Sequence, residues 1–395
     1  MVVIGRSHRY GAGSMTPDQF RVALFSGNYN YTRDGANQSL NLLVGHLLDR
    51  GVAVRVYSPT SKTPAFPPVG DLVDVPSFPM PFRADYKLAR GLPASVRADL
   101  EAFAPNVVHV SAPEFLGHAA VRWAHETGVA SLASVHTRFE TYPAYYGIGF
   151  MERPIIRLLT RFYNKFDRIV APSPSMIDLL RRWGVTPPMS IWSRGIDHDR
   201  FQPSRRSLEW RRSLGIGDQD VAIGFLGRLV KEKGLDVFAE VLAELRQRGV
   251  PHKVLVIGKG PAQDWFARAT PDAILAGYQT GDDLGRAVAS MDIFFNPSVT
   301  ETFGNVTTEA MAAGVPVVAA NATGAMDLVA DGKTGFLVSP RDINGYADAL
   351  ERIATDAALR RRFSDAGRAR VADYRWDKVN EAVIDAYRAL FANGT

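Results

Sequence analysis

Residues 293–319, IFFNPSVTETFGNVTTEAMAAGVPVVA, decide the fold. An apolar run, Ile293–Asn296, reads as a strand. A polar loop with Pro297 and Gly304 follows, then a helical pattern over Thr307–Ala313, and a second apolar run over Val315–Ala319. Short runs that are apolar throughout, not alternating, are what strands covered on both faces require. Such strands belong to parallel sheets joined by helical crossovers. Working outward, the same alternation predicts strand Val221–Leu226, helix Leu235–Arg248, strands His252–Ile257 and Ile274–Ala276, and helix Asp282–Ser290. It recurs in the first half, with strand Arg21–Ser26, a polar loop Gly27–Gly35, helix Ala36–Arg50 and strand Val52–Tyr57. A proline-rich stretch, 59–81, reads as an excursion over the surface. Helix Leu92–Phe103, strands Val107–Val110, Ala130–Val135 and Ile169–Ala171, and a last helix over Trp376–Phe391 complete the pattern. A chain of 395 residues is too long for one ordinary core. The fold expected is α/β, with two Rossmann-like, doubly wound domains over residues 1–204 and 205–375.

The composition narrows the chemistry. With no cysteine, disulfides, thiolate zinc sites and cysteine nucleophiles are excluded. The first 20 residues lack the apolar core of a signal peptide, and no run approaches the roughly 20 apolar residues of a membrane span. A cytoplasmic protein is expected. The net charge of +5 suits anionic partners such as phosphates or an acidic membrane surface. No basic stripe interleaved with aromatics points to nucleic acid.

Two segments carry the site. In the first, the loop after Asn296 runs into a helix, and ligands of open α/β sheets bind at the carboxyl ends of strands. Unpaired helix amides there suit a pyrophosphate. Gly304 allows close backbone approach, and Glu301 and Glu309, with seven residues between them, can both face a ligand as acceptors for hydroxyl pairs. The plain alternative makes Glu309 a first-turn dipole partner and Glu301 a solvated loop charge. In the second segment, Phe225–Leu235, Arg228 and Lys233 also sit between a strand and a helix. A guanidinium fork and a point charge are what a nucleoside diphosphate needs. Their plain alternative is two solvated cations.

Gly227-Arg228 with Lys233-Gly234, taken with the spaced glutamates, resembles the retaining glycosyltransferases of the GT-B fold, family 4. The likeness runs from the Gly35 loop to Trp376. It implies two domains facing a cleft, with residues 376–395 crossing back to the first domain. It further implies that Arg228 and Lys233 bind the donor diphosphate and Glu309 the ribose. Glu301 and the backbone of Phe303, Gly304, Asn305 and Val306 would hold the transferred sugar. Gly35 would lie beside the diphosphate, and His136, in Ser134-Val-His-Thr-Arg-Phe-Glu140, matches the family's active-site histidine. A role for it in placing the sugar is preferred to that of a base, because a retaining transfer can pass the acceptor proton to the leaving phosphate. No carboxylate nucleophile is identifiable.

Trp192-Ser-Arg194-Gly-Ile-Asp197 resembles the subgroup holding lipid-linked α-mannosyltransferases and sulfoquinovosyl lipid synthases. Arg194 is thus a donor or acceptor contact, or else the partner of Asp197. Gly258, before Lys259-Gly260-Pro261, is expected to approach the nucleoside. The Asp-x-Asp pairs Asp197/Asp199 and Asp218/Asp220 read as surface loops, so no metal and no cofactor beyond the nucleotide-sugar co-substrate is expected. GDP-mannose is the first donor and a UDP-hexose or UDP-hexuronate the second, with a lipid or glycan acceptor. A nucleotide-sugar-binding regulator on the same scaffold is the non-enzyme alternative. Tyr29, Tyr31, Arg33, Tyr142, Tyr145 and Tyr146 are candidate acceptor contacts. Arg153, Arg157, Arg161 and Lys165, at four-residue spacing, form either a solvated face or a contact for the inner face of the plasma membrane.

Overall fold

The computed structural model describes residues 15–32, 34–80, 83–145 and 147–392. The chain folds as two compact units. One comprises the residues up to Thr137, Arg153–Ser193 and the segment from Trp376; the other comprises Arg138–Glu152 and Arg194–Arg375. The division thus falls at Ser193/Arg194, upstream of residue 204, and a short internal segment groups with the second unit.

The first unit carries β1 (Arg21–Phe25), β2 (Ala53–Ser58), β3 (Asp71–Asp74), β4 (Ser77–Met80), β5 (Arg83–Ala89), β6 (Val107–Val110), β7 (Ala130–Ser134), β8 (Arg168–Ala171) and β9 (Met189–Ile191). Its parallel sheet has the order β3-β2-β1-β6-β7-β8-β9. β4 and β5 form a separate antiparallel ribbon. The 59–81 stretch is therefore more than an excursion. It leaves the surface to add β3 at the sheet edge and to begin the ribbon. Its strands carry weak signals: β3 is only half-buried between two exposed aspartates, and β4 contains Pro79, which a ribbon edge tolerates.

The last helix, Trp376–Phe391, packs on this first sheet. Val383, Ile384 and Tyr387 sink into one cluster with Leu24, Leu40, Val44 and Trp192. The Trp192 indole N–H donates to Asn380 Oδ1 at 3.1 Å, and the Asn380 amide donates to the Leu42 carbonyl at 3.2 Å. The crossing-back of the chain end is thus set by apolar burial together with a satisfied buried amide.

In the second unit, β10 (Ala222–Leu226), β11 (Lys253–Ile257), β12 (Ala273–Gly277), β13 (Ile293–Asn296), β14 (Val317–Ala320) and β15 (Gly335–Val338) make a parallel sheet of order β12-β11-β10-β13-β14-β15. All four residues of β13 and of β14 are buried, as the unbroken apolar runs require. The strand expected from Val315 begins at Val317. The Val315 amide still closes the preceding helix on Ala310, and Pro316 has no N–H to give to the sheet.

The entry to this sheet is pinned by Arg211, which is fully buried. Its guanidinium donates to Asp292 Oδ2 at 2.8 Å and to the carbonyls of Ser290 and Asp220 at 2.7 and 2.6 Å. Asp292 also accepts from the Ala222 amide, so it ties β10 to the start of β13. Without Arg211, Asp292 keeps Arg206 at 2.7 Å and the Ala222 amide, but the Ser290 and Asp220 carbonyls lose their donor and the buried side chain leaves a cavity. Arg211→Ala is expected to destabilise the second unit by about 2–4 kcal/mol. Denaturant unfolding followed by tryptophan fluorescence checks this, and a loss below 1 kcal/mol at the limit of ordinary surface substitutions refutes it.

Candidate functional site

Sheet order locates a crevice in the second unit. β10 and β13 are neighbours, yet the chain leaves β10 toward β11 and leaves β13 toward β14. At such a reversal the loops beyond the two strand ends diverge, and ligands bind there. Both sequence segments lie at these ends: Gly227–Gly234 follows β10, and Pro297–Gly304 follows β13.

Glycines shape the two loops. Gly227 has φ +151° and Gly258, at the end of β11, has φ +135°. A Cβ on Gly258 would stand 1.9 Å from the Gly227 carbonyl oxygen, so the two loops touch backbone to backbone. The Leu229 amide donates to the Lys259 carbonyl at 3.1 Å across the same contact. Gly258 therefore supports the Arg228 loop from beneath. Gly234 (φ +71°) and Gly304 (φ +103°) are the N-caps of helices Leu235–Gln247 and Asn305–Ala312, and neither helix has a side-chain cap. First-turn amides, including those of Asn305 and Val306, remain available to an anion.

The charged groups divide into three kinds. Arg228 is exposed and has no side-chain partner among the described residues. Lys233 Nζ lies 2.5 Å from Glu301 Oε1, with side chains 29% and 15% exposed. Glu309 lies past the first helical turn, so it is not a first-turn dipole partner. It is only partly accessible, and burial pushes its carboxyl up to about 8; Arg200 counteracts and Asp197 reinforces the shift. Phe303 turns its ring into the core against Tyr374, at 5.7 Å, leaving its backbone toward the loop.

Arg138 was not singled out by sequence, though it stands two residues after His136. Its guanidinium donates to the Val299 carbonyl at 3.2 Å and to Thr323 Oγ1 at 2.8 Å, and it pairs with buried Glu140 at 2.7 Å. It holds the loop that carries Glu301. The signal was the charge pair Arg138-x-Glu140 in an apolar setting.

Other expected residues fall elsewhere. Arg194 is 4% exposed, and burial lowers its pKa to about 10. Asp197 forms an ion pair with Arg200 at 3.2 Å. Asp218 pairs with Arg212, and Asp220 accepts from the Gly217 amide, as turn residues do. Among the described residues no group of three or more acidic or histidine side chains is placed to hold a metal ion. Gly35 and His136 belong to the first unit. Gly35 is the first residue of helix Gly35–Asp49, not part of the loop, and Asp34 caps that helix by accepting from the Asn37 amide at 2.8 Å. His136 follows β7, with Nε2 2.8 Å from Ser134 Oγ and its ring edge-on to Trp192. Tyr29 and Tyr31 are buried core residues with their hydroxyls donated to the carbonyls of Val69 and Gly27. They are not available for an acceptor. Tyr142 and Tyr145 group with the second unit, and Arg33 and Tyr146 lie outside the described residues. Arg153, Arg157, Arg161 and Lys165 are all exposed.

The raised carboxyl of Glu309 has a consequence for stability. An unfolded glutamate titrates near 4.3. Between that value and about 8 the folded chain holds a proton that the unfolded chain has lost. Its contribution is full below the unfolded value and is lost as pH rises through the folded one. The melting temperature of the wild type is therefore expected to fall relative to Glu309→Gln from pH 5 to pH 9. A difference that does not change with pH refutes it.

The comparisons with known proteins agree with this geometry. Residues 33–200 match the family model described as Glycosyltransferase Family 4, and residues 220–356 match that of Glycosyl transferases group 1. The chain is 32% identical to a GDP-mannose-dependent alpha-mannosyltransferase of Mycolicibacterium smegmatis over 94% of its length and 97% of the relative's. It is 28% identical to a sulfoquinovosyl transferase of Arabidopsis thaliana, over 90% and 71% of the two chains. Among solved structures, sucrose-phosphate synthase from Thermosynechococcus elongatus superposes with a TM-score of 0.75 at 19% identity, covering 95% of this chain and all of that one. Anabaena HepE in complex with UDP and glucose gives 0.73 at 16%, over 94% and 100%. The fold is GT-B, and the chain belongs to the family 4 glycosyltransferases.

Proposed function

We propose that this glycosyltransferase moves mannose from GDP-mannose, with retention, to a lipid or lipid-linked acceptor. The observation that carries the reading is the gathering of Arg228, Lys233, Glu301 and two uncapped helix N-termini at the ends of β10 and β13. Arg228, Lys233 and the helix amides neutralise the departing diphosphate, which is the largest demand of the reaction. Glu309 receives the ribose hydroxyls. Glu301 and the backbone of Phe303–Val306 hold the sugar, and His136 helps to place it. The bond from the sugar C1 to the phosphate oxygen breaks as the acceptor oxygen attacks from the same face. The acceptor proton passes to the leaving phosphate. The positive charge comes from side chains and helix ends, so no divalent ion is required. The donor preference follows the GDP-mannose-dependent relatives, with a UDP-hexose or UDP-hexuronate as the second donor.

The 2.5 Å contact between Lys233 and Glu301 refines the division of labour. An arriving diphosphate must draw Lys233 away from Glu301, which frees the carboxylate for sugar hydroxyls. Arg228→Ala and Lys233→Ala are expected to cut transfer by about two to four decades, since such charge-assisted contacts are worth roughly 2–5 kcal/mol. Glu301→Gln is expected to bind free GDP at least as tightly as the wild type while transfer falls. Calorimetry with GDP and UDP, and transfer from GDP-mannose with and without EDTA, check these outcomes. Near-wild-type transfer by both cation variants, or an equal loss of GDP affinity in Glu301→Gln and Glu309→Ala, overturns the assignment.

No helix of the described residues is long and apolar enough to cross a membrane. A lipid acceptor then has to be met at the bilayer surface. Arg153, Arg157 and Arg161 are exposed along helix Glu152–Tyr163, with Lys165 just beyond it and Leu158 56% exposed among them. Each cation near an anionic surface contributes about 1 kcal/mol. Flotation with anionic liposomes is expected to carry the protein at low salt, to fail at high salt, and to weaken when the four residues become glutamine. Equal flotation of both forms refutes the contact.

A further inference from the structure

The sheet of the first unit has its own reversal. β1 and β6 are neighbours, yet the chain leaves β1 toward β2 and β6 toward β7. The loops beyond these two strand ends therefore part, as those of a ligand crevice do. Glu114 ends the loop after β6 and is the N-cap of helix Phe115–Thr127. Its carboxyl lies across the loop after β1, where a Cβ on Gly27 would stand 2.0 Å from Glu114 Oε1. Glycine at 27 is what leaves room for the carboxyl.

That carboxyl satisfies nothing in the fold. It makes no hydrogen bond to its own helix, and Oε2 is buried without a partner among the described residues. The hydroxyls of Tyr31 and Ser111, on the same two loops, are committed elsewhere. Tyr31 donates to the Gly27 carbonyl at 2.9 Å and Ser111 to the Phe25 carbonyl at 3.2 Å. Burial alone pushes the Glu114 carboxyl up to about 7, the mark of oxygens that have lost water and gained no donor. The loop after β1 holds a second unmatched acceptor, Asn30 Oδ1, on a residue 3% exposed. Packing does not retain such groups, because an unmatched buried oxygen is costly. Both atoms are acceptors, so what they lack is a donor. Glu114 is partly accessible, and Phe115, next in the chain, is 63% exposed.

We propose that Glu114 selects the acceptor: its carboxylate takes hydrogen bonds from the hydroxyls of a neutral sugar and keeps a phosphate-bearing group out of the crevice of the first unit. The inference rests on the reading of the chain as a transferase to a lipid or lipid-linked acceptor, and it names the chemistry of that acceptor's recognised end. An ionised carboxylate accepts from more than one hydroxyl at once, whereas a phosphate brings like charge and acceptor oxygens of its own. Such a repulsive element sets specificity as much as an attractive one does. The exposed ring of Phe115 adds apolar surface of the kind on which a sugar face can rest.

The test uses the intact chain at pH 8, above the value at which Glu114 titrates. The probes are octyl α-mannoside, octyl α-glucoside and octyl α-mannoside 6-phosphate. Saturation-transfer NMR reads their affinities, and calorimetry reads that of GDP. The wild type is expected to bind a neutral glycoside and to bind the phosphorylated one roughly tenfold more weakly or worse. Glu114→Ala is expected to weaken the neutral glycoside roughly 10- to 100-fold, the scale of lost hydrogen bonds to a charged group, with GDP affinity unchanged. Glu114→Gln keeps the shape and drops the charge, so it is expected to narrow the gap between the neutral and phosphorylated probes. A wild type that prefers the phosphorylated probe or binds none of them overturns the inference. So does a neutral-glycoside affinity that folded Glu114→Ala leaves unaltered, or a gap that Glu114→Gln does not narrow. The wild-type preference decides even where a variant fails to fold. A neutral glycoside that binds through Glu114 but receives no mannose from GDP-mannose would remove instead the reading of the transfer, and leave Glu114 as the sugar contact.

Discussion

The second unit depends on β10 and β13 lying side by side while their crossovers part. Parallel strands must return by helices, and a helix covers only one face of the sheet. When consecutive crossovers take opposite directions, the space above the two central strand ends is left open. Into it point the loop ends, two helix N-termini and the side chains that follow each strand. Arg228 and Lys233 come from one side of this opening and Glu301 from the other, with Lys233 and Glu301 in contact. The site is thus a product of connectivity first and of residue type second.

That opening places opposite charges together before any ligand arrives. Lys233 and Glu301 satisfy each other, while Glu309 lowers its own cost by holding a proton into the neutral range. Arg228 remains in water, where a guanidinium is stable alone. Each cationic or acidic group is therefore kept at low cost. The glycines at 227, 234, 258 and 304 serve the same end, since side chains there would fill the approach or strain a left-handed backbone.

The legible parts of the fold were those whose signal is local. The run Ile293–Asn296 and helix Trp376–Phe391 match the structure to the residue, because burial on both faces, or on one helical face, writes itself into consecutive positions. β3 and the β4–β5 ribbon were hidden, since a half-buried edge strand of four residues has no periodicity to display. The motif residues at the strand ends were legible through their spacing and family likeness. Arg138 was not, because its contacts with Val299 and Thr323 span 161 and 185 positions. Tyr29 and Tyr31 misled for a related reason: a tyrosine with a backbone carbonyl for its hydroxyl is as content in a core as against a sugar.

The same limit explains why the role of His109 could not be read at all. A histidine in the middle of Val107-Val-His-Val110 looks like an error in an apolar strand. A wholly buried imidazole is tolerable only if both nitrogens are matched, and its partners sit 25 and 278 positions away in sequence. Valine or leucine would pack there without such a requirement. A strand that keeps histidine instead, with a tyrosine from the last helix to complete it, bears a constraint that packing does not impose. The constraint runs toward Ser134 and His136, at the end of β7.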